Sequence, residues 1–190
     1  MFTGIVQAVG KIVRLNPLEI ECGTLDLSDV AVGDSICVQG VCLTVTAITP
    51  RGFTADVSAE TLRVTAGFER PGAVNLEKSL ALGGKLGGHL VTGHVDGVGE
   101  VLSCSQGLLQ VRVPRELTRY IARKGSICVD GVSLTVNRVD GDSFEVNLIP
   151  HTVQVTTLGR LAAGAKVNLE VDMIARYVER CLDASRSGPA

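Results

Sequence analysis

The sequence contains one unit twice, and that repeat narrows the possible folds more than any other feature. Ser35-Ile36-Cys37-Val38-Gln39-Gly40-Val41-Cys42-Leu43-Thr44-Val45 returns as Ser126-Ile127-Cys128-Val129-Asp130-Gly131-Val132-Ser133-Leu134-Thr135-Val136, identical at nine of eleven positions. The two that differ are Gln39/Asp130 and Cys42/Ser133. Thr3-Gly4-Ile5-Val6, followed by Val9-Gly10, returns as Thr92-Gly93-His94-Val95, followed by Val98-Gly99. Phe53 to Thr61 is echoed by Phe144 to Thr152, and Val74-Asn75-Leu76-Glu77 by Val167-Asn168-Leu169-Glu170. The offset grows from 89 to 91 to 93 residues, so small loop insertions separate equivalent elements. A unit this long present twice is a domain duplication, because solenoids repeat shorter units more often. Two similar halves can hold two similar ligands, and the places where the copies differ are where the chemistry is expected.

The 190 residues divide into two domains of about 85 residues each, spanning 1–86 and 87–172, each able to bury its own core. Eighteen basic residues stand against twenty acidic ones without a basic run, which argues against nucleic acid as a partner. No apolar stretch approaches the length of a membrane span, so no membrane partner is expected. Met1-Phe2-Thr3-Gly4-Ile5-Val6 lacks the positive region and long apolar core of a signal peptide, so a soluble, cytoplasmic protein is expected. The six cysteines should then stay reduced, and none has the C-x-x-C spacing of a structural metal site. Cys37 and Cys128 read as small buried hydrophobes, and Cys22 and Cys104 as incidental. Cys42 stands apart because its copy is Ser133.

Valine, isoleucine and threonine dominate in short runs broken by turn signals about every ten residues, the spacing of a small barrel or sandwich. Val38 to Thr46 and its copy read as strand, with Gly40 and Gly131 marking a bend or bulge. Closure hides edge strands, so each half is expected to be a small antiparallel β-barrel. Short helical pieces are expected at Ser58 to Leu62 and from Pro114 to Ile121. Glycine-rich Ala81 to Gly88 reads as the linker. After the second copy, Asp172 can cap a helix over 173–185, with Ile174, Tyr177, Val178 and Cys181 on one face. That helix either packs on its own barrel or joins copies of the chain. Residues 186–190 read as a disordered tail.

Four motifs, Met1-Phe2-Thr3-Gly4-Ile5-Val6, Gly40-Val41-Cys42-Leu43-Thr44-Val45, Gly88-His89-Leu90-Val91-Thr92-Gly93-His94-Val95 and Asp130-Gly131-Val132-Ser133-Leu134-Thr135-Val136, together resemble the riboflavin synthase and lumazine protein family over nearly the whole chain. The resemblance implies an all-β protein of two tandem six-stranded antiparallel β-barrels with a C-terminal α-helix that assembles a homotrimer. It implies a transferase that needs no cofactor. Two molecules of 6,7-dimethyl-8-ribityllumazine would give riboflavin and 5-amino-6-(D-ribitylamino)uracil by four-carbon transfer. Association with lumazine synthase is a further partner the resemblance allows. The alternative it carries is a non-catalytic lumazine- or flavin-binding antenna. A duplicated barrel serving only as an interaction module would require four motifs to match by accident.

Such a dismutation needs two pteridines held face to face, a base for the C7 methyl of one, a nucleophile or positioned water for C7 of the other, and donors for ring charge. His94, in the place of Ile5, is either a structural histidine or, by the resemblance, a proton-transfer group. His89, five residues earlier, would face the other side of a regular strand and reads as structural. Cys42 is a buried thiol or a reactive one. The resemblance assigns Ser35 and Cys42 to a catalytic N-terminal pocket, with nucleophile and proton-relay roles open. Val41 stands where some members carry a second cysteine.

Ligand contacts implied for the first copy are Gly4, Ile5, Val6, Cys42, Leu43, Thr44, Asp56, Val57, Ser58, Ala59, Glu60 and Thr61. For the second they are Gly93, His94, Val95, Ser133, Leu134, Thr135, Leu148, Ile149, Pro150, His151 and Thr152. Thr44, Thr135, Asp56 and Asn147 suit ribityl hydroxyls. Lys124 and Asp130 match family positions near the second pocket, as a catalytic pair or a salt bridge. Phe2 is placed to cover one pocket. The resemblance further implies an active site joining the first barrel of one subunit to the second barrel of its neighbour.

Overall fold

The computed structural model describes residues 1–186, the last by its backbone alone. Strands β1 (Ala8–Leu15), β2 (Leu18–Glu21), β3 (Ser35–Val38), β4 (Val41–Thr49), β5 (Gly52–Ala55) and β6 (Gly72–Lys78) close a barrel in the order β1-β2-β5-β4-β3-β6. The second barrel is built from β7 (Gly97–Ser105), β8 (Leu108–Arg112), β9 (Ser126–Val129), β10 (Val132–Asp140), β11 (Ser143–Asn147) and β12 (Lys166–Val171). It closes in the equivalent order, β10-β11-β8-β7-β12-β9.

The segment Val38 to Thr46 is not one bent strand. Gln39 and Gly40, with φ of 51° and 85°, form a two-residue turn between β3 and β4, and Asp130 and Gly131 do the same at 49° and 81°. Positive φ at both positions gives the turn the twist of the strands it joins. The bulge lies further along, between Val45 and Ala47 and again between Val136 and Arg138.

Strand alternation fills each interior. Ile36, Val38, Val41, Leu43 and Val45 point into the first core with Phe53 and Leu76, and their copies fill the second. The Val-Asn-Leu-Glu motif shows what the outward face does. Val74 and Leu76 are core residues, yet the alternating Asn75 and Glu77 are only 1% and 4% exposed, and Asn168 and Glu170 1% and 2%. A strand buried on both faces needs a second neighbour, and here that is the other half of the molecule. Asn75 Nδ2 donates to the Asp130 carbonyl (2.8 Å), and Asn168 Nδ2 donates to the Gln39 carbonyl (2.9 Å). Phe2, Cys37, Val91 and Cys128 form a small apolar cluster in this seam. Phe2 therefore covers no pocket: it is fully buried, and its backbone exchanges hydrogen bonds with Val91 (2.7 and 3.1 Å).

Helices α1 (Ala59–Val64) and α2 (Pro150–Val155) occupy equivalent places, and Arg115–Tyr120 forms a 3₁₀ helix after Pro114. Helix α3 (Met173–Arg186) begins where the Asp172 carboxylate accepts the Ile174 N–H (3.0 Å). It runs one residue into the expected tail, whose residues 187–190 lie outside the described residues. Its polar side faces the second barrel through Arg176–Asp96 (2.8 Å) and Glu179–Arg119 (2.6 Å). Its apolar stripe faces outward, with Ile174, Tyr177, Val178 and Leu182 exposed by 62, 66, 53 and 51%. Packing of that stripe on the chain's own barrel, one of the two expectations, does not occur.

Candidate active site

The segments ahead of β1 and β7 are extended straps, and each is clamped by a buried carboxylate. The Thr3 N–H and hydroxyl donate to Glu77 Oε1 (both 2.7 Å) and the Gly4 N–H to Oε2 (2.9 Å). In the second copy the Thr92 N–H and hydroxyl donate to Glu170 Oε1 (both 2.7 Å). The Gly93 and His94 N–H groups take Oε2, at 2.8 and 3.1 Å. Burial raises the Glu77 carboxyl above its ordinary range while the Thr3 and Gly4 donors pull it down.

The strap carbonyls reach the opposite barrel. The Cys42 N–H donates to the Gly93 carbonyl and the Ser133 N–H to the Gly4 carbonyl, each at 2.8 Å. Val95 packs against the first core and Val6 against the second. The straps are thus exchanged, which the grouping by repeat copy did not foresee. His94 follows the residue that bonds Cys42, and Ile5 follows the residue that bonds Ser133. Thiol and imidazole segments from different copies meet at one crossing within a single chain.

Register arranges the rest. Ser35 pairs with Thr44 and Cys37 with Cys42, so these four share the outer face of the first barrel. Thr135 with Ser126 and Ser133 with Cys128 repeat the ladder on the second. Val45 faces Ala55 and Val136 faces Val146, so one step further sets Asp56 opposite Thr44 and Asn147 opposite Thr135. Beside the first ladder a cleft of about 740 Å³ is lined by Thr3, Ile5, Ser35, Glu77 and the linker residues Lys85 and Gly87. The Ser35 hydroxyl, the Ile5 side chain and the Lys85 ammonium around one opening suit a planar, polar-edged heterocycle.

A lumazine binding domain model matches residues 3–79 and again 92–172. A riboflavin synthase of Photobacterium phosphoreum is 47% identical over 96% of this chain and 89% of its own length. The chain belongs to the riboflavin synthase family of lumazine-binding proteins. A riboflavin synthase of Mycobacterium tuberculosis (strain ATCC 25618 / H37Rv) is 48% identical over 96% of this chain and 98% of its own. The solved structure of LumP complexed with 6,7-dimethyl-8-(1'-D-ribityl) lumazine superposes with a TM-score of 0.79 at 27% identity, covering 90% of this chain and 99% of that one.

Not every residue assigned by family resemblance keeps a free side chain. Leu43, Leu134 and Leu148 point into the cores, leaving their backbones for any ligand. Ser58 caps α1 by accepting the Thr61 N–H (3.0 Å), and Glu60 is paired with Arg63 (2.7 Å). Asp56, Ala59, Ile149, Pro150 and His151 are exposed, while Val57 and Thr152 are half-buried. The expected Lys124–Asp130 pair does not form. Lys124 is exposed, whereas Asp130 is 2% exposed and accepts the Asn168 N–H (2.8 Å) in the seam.

Two features of the candidate site escaped sequence reasoning. His89 is buried with Nδ1 2.7 Å from Ser133 Oγ, and burial lowers its pKa, favouring the neutral ring. Residues 89–94 are not a regular strand and form only a bridge at Val91, so strand parity does not place His89 opposite His94. The Glu77 and Glu170 clamps were visible only as a repeated motif, since nothing in sequence says which backbone a carboxylate will hold.

Proposed function

We propose that the chain catalyses the dismutation of two 6,7-dimethyl-8-ribityllumazine molecules, transferring a four-carbon unit to give riboflavin and 5-amino-6-(D-ribitylamino)uracil. The observation that carries this reading is 47% identity to a riboflavin synthase along almost the full length of both chains. Ser35, Cys42 and His94 are the proposed catalytic groups. His94 exchanges the C7-methyl proton, while Ser35 and Cys42 serve addition at C7 in the other pteridine. Thr44, Asp56, Thr135 and Asn147 hold ribityl hydroxyls. Ser133, with His89 behind it, faces the second ligand.

The chain works as a homotrimer in the cytoplasm, with an active site formed between the first barrel of one subunit and the second barrel of the next. The outward apolar stripe of α3 supports the assembly, because an exposed contiguous apolar patch marks a contact surface. Among the described residues no helix is long and apolar enough to cross a membrane. Association with lumazine synthase would bring the enzyme to its substrate's source.

The test is incubation of purified protein with the dimethyl-ribityllumazine alone, following riboflavin absorbance. Riboflavin and the ribitylaminouracil should form in equal amounts. Tight binding without riboflavin would sink the enzyme reading and leave the antenna.

A further inference from the structure

Three features set the second strap apart from the first. His94 replaces Ile5, and Asp96 replaces Gln7. Gln7 and Asp96 do the same backbone work: the Lys78 N–H donates to Gln7 Oε1 and the Val171 N–H to Asp96 Oδ2, both at 2.8 Å. A neutral amide suffices for that bond, so the negative charge at Asp96 needs another reason. The third feature supplies it. Helix α3 follows the second copy alone, and its Arg176 donates through Nη2 to Asp96 Oδ2 (2.8 Å) and to the His94 carbonyl (3.3 Å).

His94 is therefore held at both ends of its backbone while its side chain is exposed. Its N–H is fixed by Glu170 on β12 and its carbonyl by Arg176 on α3. In the first copy the Ile5 N–H takes the Thr3 hydroxyl instead (3.2 Å). Arg176 and Glu179 lie on the barrel side of α3, and Ile174, Tyr177 and Val178 on its outward side. One helix thus carries the proposed subunit contact on one face and the hold on the histidine strap on the other. The Asp96 carboxylate is mostly buried, and such a charge is costly unless paired, so Arg176 has a strong reason to stay where it is.

We infer that Arg176 is a positioning residue, which through Asp96 and the His94 carbonyl makes the aim of the His94 imidazole depend on the seating of the C-terminal helix. This rests on the reading of His94 as the proton-transfer group. Subunit assembly, by seating α3, then prepares the strap for turnover as well as bringing two pockets together.

The test uses the full chain with Arg176→Met, Arg176→Lys and His94→Ala, reading assembly by sedimentation together with kcat and KM. Arg176→Met leaves the outward stripe intact, so it should sediment as the parent does. Its kcat should fall roughly tenfold or more, as misplacement of a reacting group does. Its KM should stay within about twofold, since uniform binding is untouched. Arg176→Lys, whose ammonium can still bridge the carboxylate and the carbonyl, should recover most of the lost kcat. Parent kcat in an assembled Arg176→Met overturns the inference if His94→Ala is inactive. A kcat loss that disappears when high protein concentration restores assembly overturns it as well. Parent turnover by His94→Ala would instead refute the role of His94, and the inference with it.

Discussion

Asp130 and Gln39 sit at equivalent turn positions, and each accepts the N–H of the asparagine beside it: Gln39 Oε1 from Asn75 (2.9 Å), Asp130 Oδ1 from Asn168 (2.8 Å). Their electrostatics differ. Burial pushes the Asp130 carboxyl up to about 7, opposed by the Asn168 N–H and the Gln39 side chain. The folded protein therefore keeps this proton over a range, from about pH 4 to about pH 7, in which the unfolded chain has released it. Its contribution to stability is complete at the acid end, is lost as pH rises through 7, and is flat beyond. Asp130→Asn keeps the acceptor and removes the ionisation. In urea titrations the variant should gain on the parent by about 2–4 kcal/mol between pH 4 and pH 8. Parallel stabilities at the two pH values would show that Asp130 does not titrate there. Thiols follow the same rule: burial pushes Cys37 and Cys128 well up, consistent with inert seam residues. The Gln39/Asp130 difference was legible from the repeat alone. Its consequence was not, because burial in the seam is a property of the pair of barrels.

At the level of elements, a strap works only if backbone approaches backbone. A Cβ on Gly93, at φ +79°, would lie 2.6 Å from the Cys42 Cβ, whereas one on Gly33, at φ +97°, meets nothing within 4 Å. Both substitutions carry the left-handed penalty, on the order of 1–2 kcal/mol. Gly93→Ala adds the collision and should cost about 3 kcal/mol or more in chemical denaturation, with the comparison variant Gly33→Ala costing about 1 kcal/mol. Equal losses would mean the strap shifts freely. The strands were readable from sequence because each buries an alternating apolar face, and that pattern depends on local spacing. Ser35 and Thr44, or Cys37 and Cys42, follow from strand parity once the turn at Gln39-Gly40 is recognised. The exchange of the straps was hidden, because Thr-Gly-Ile-Val and Thr-Gly-His-Val suit either barrel equally. The carbonyl of Gly4 on Ser133 and that of Gly93 on Cys42, with Val6 and Val95 packed on the opposite cores, decide it.

Among the described residues, nothing of the fold covers the stripe of Ile174, Tyr177, Val178, Cys181 and Leu182. Tyr177→Asp places a charge in the middle of that stripe without touching Arg176 or Glu179. Sedimentation should then report a species of 19.9 kDa in place of one about three times heavier, and riboflavin formation should fall with it. A fully active 19.9 kDa species would refute the site between subunits.

The exchanged straps also impose an order on synthesis. Gly4 leaves the ribosome well before Ser133, so its carbonyl finds no partner N–H until the β9–β10 hairpin has been made. Phe2 waits for Val91, and the Asn75 side chain waits for the Asp130 carbonyl. At 5–20 residues per second the first barrel stands without its partner for roughly ten seconds. During that interval it displays an apolar, hydrogen-bond-hungry flank that the second barrel then covers.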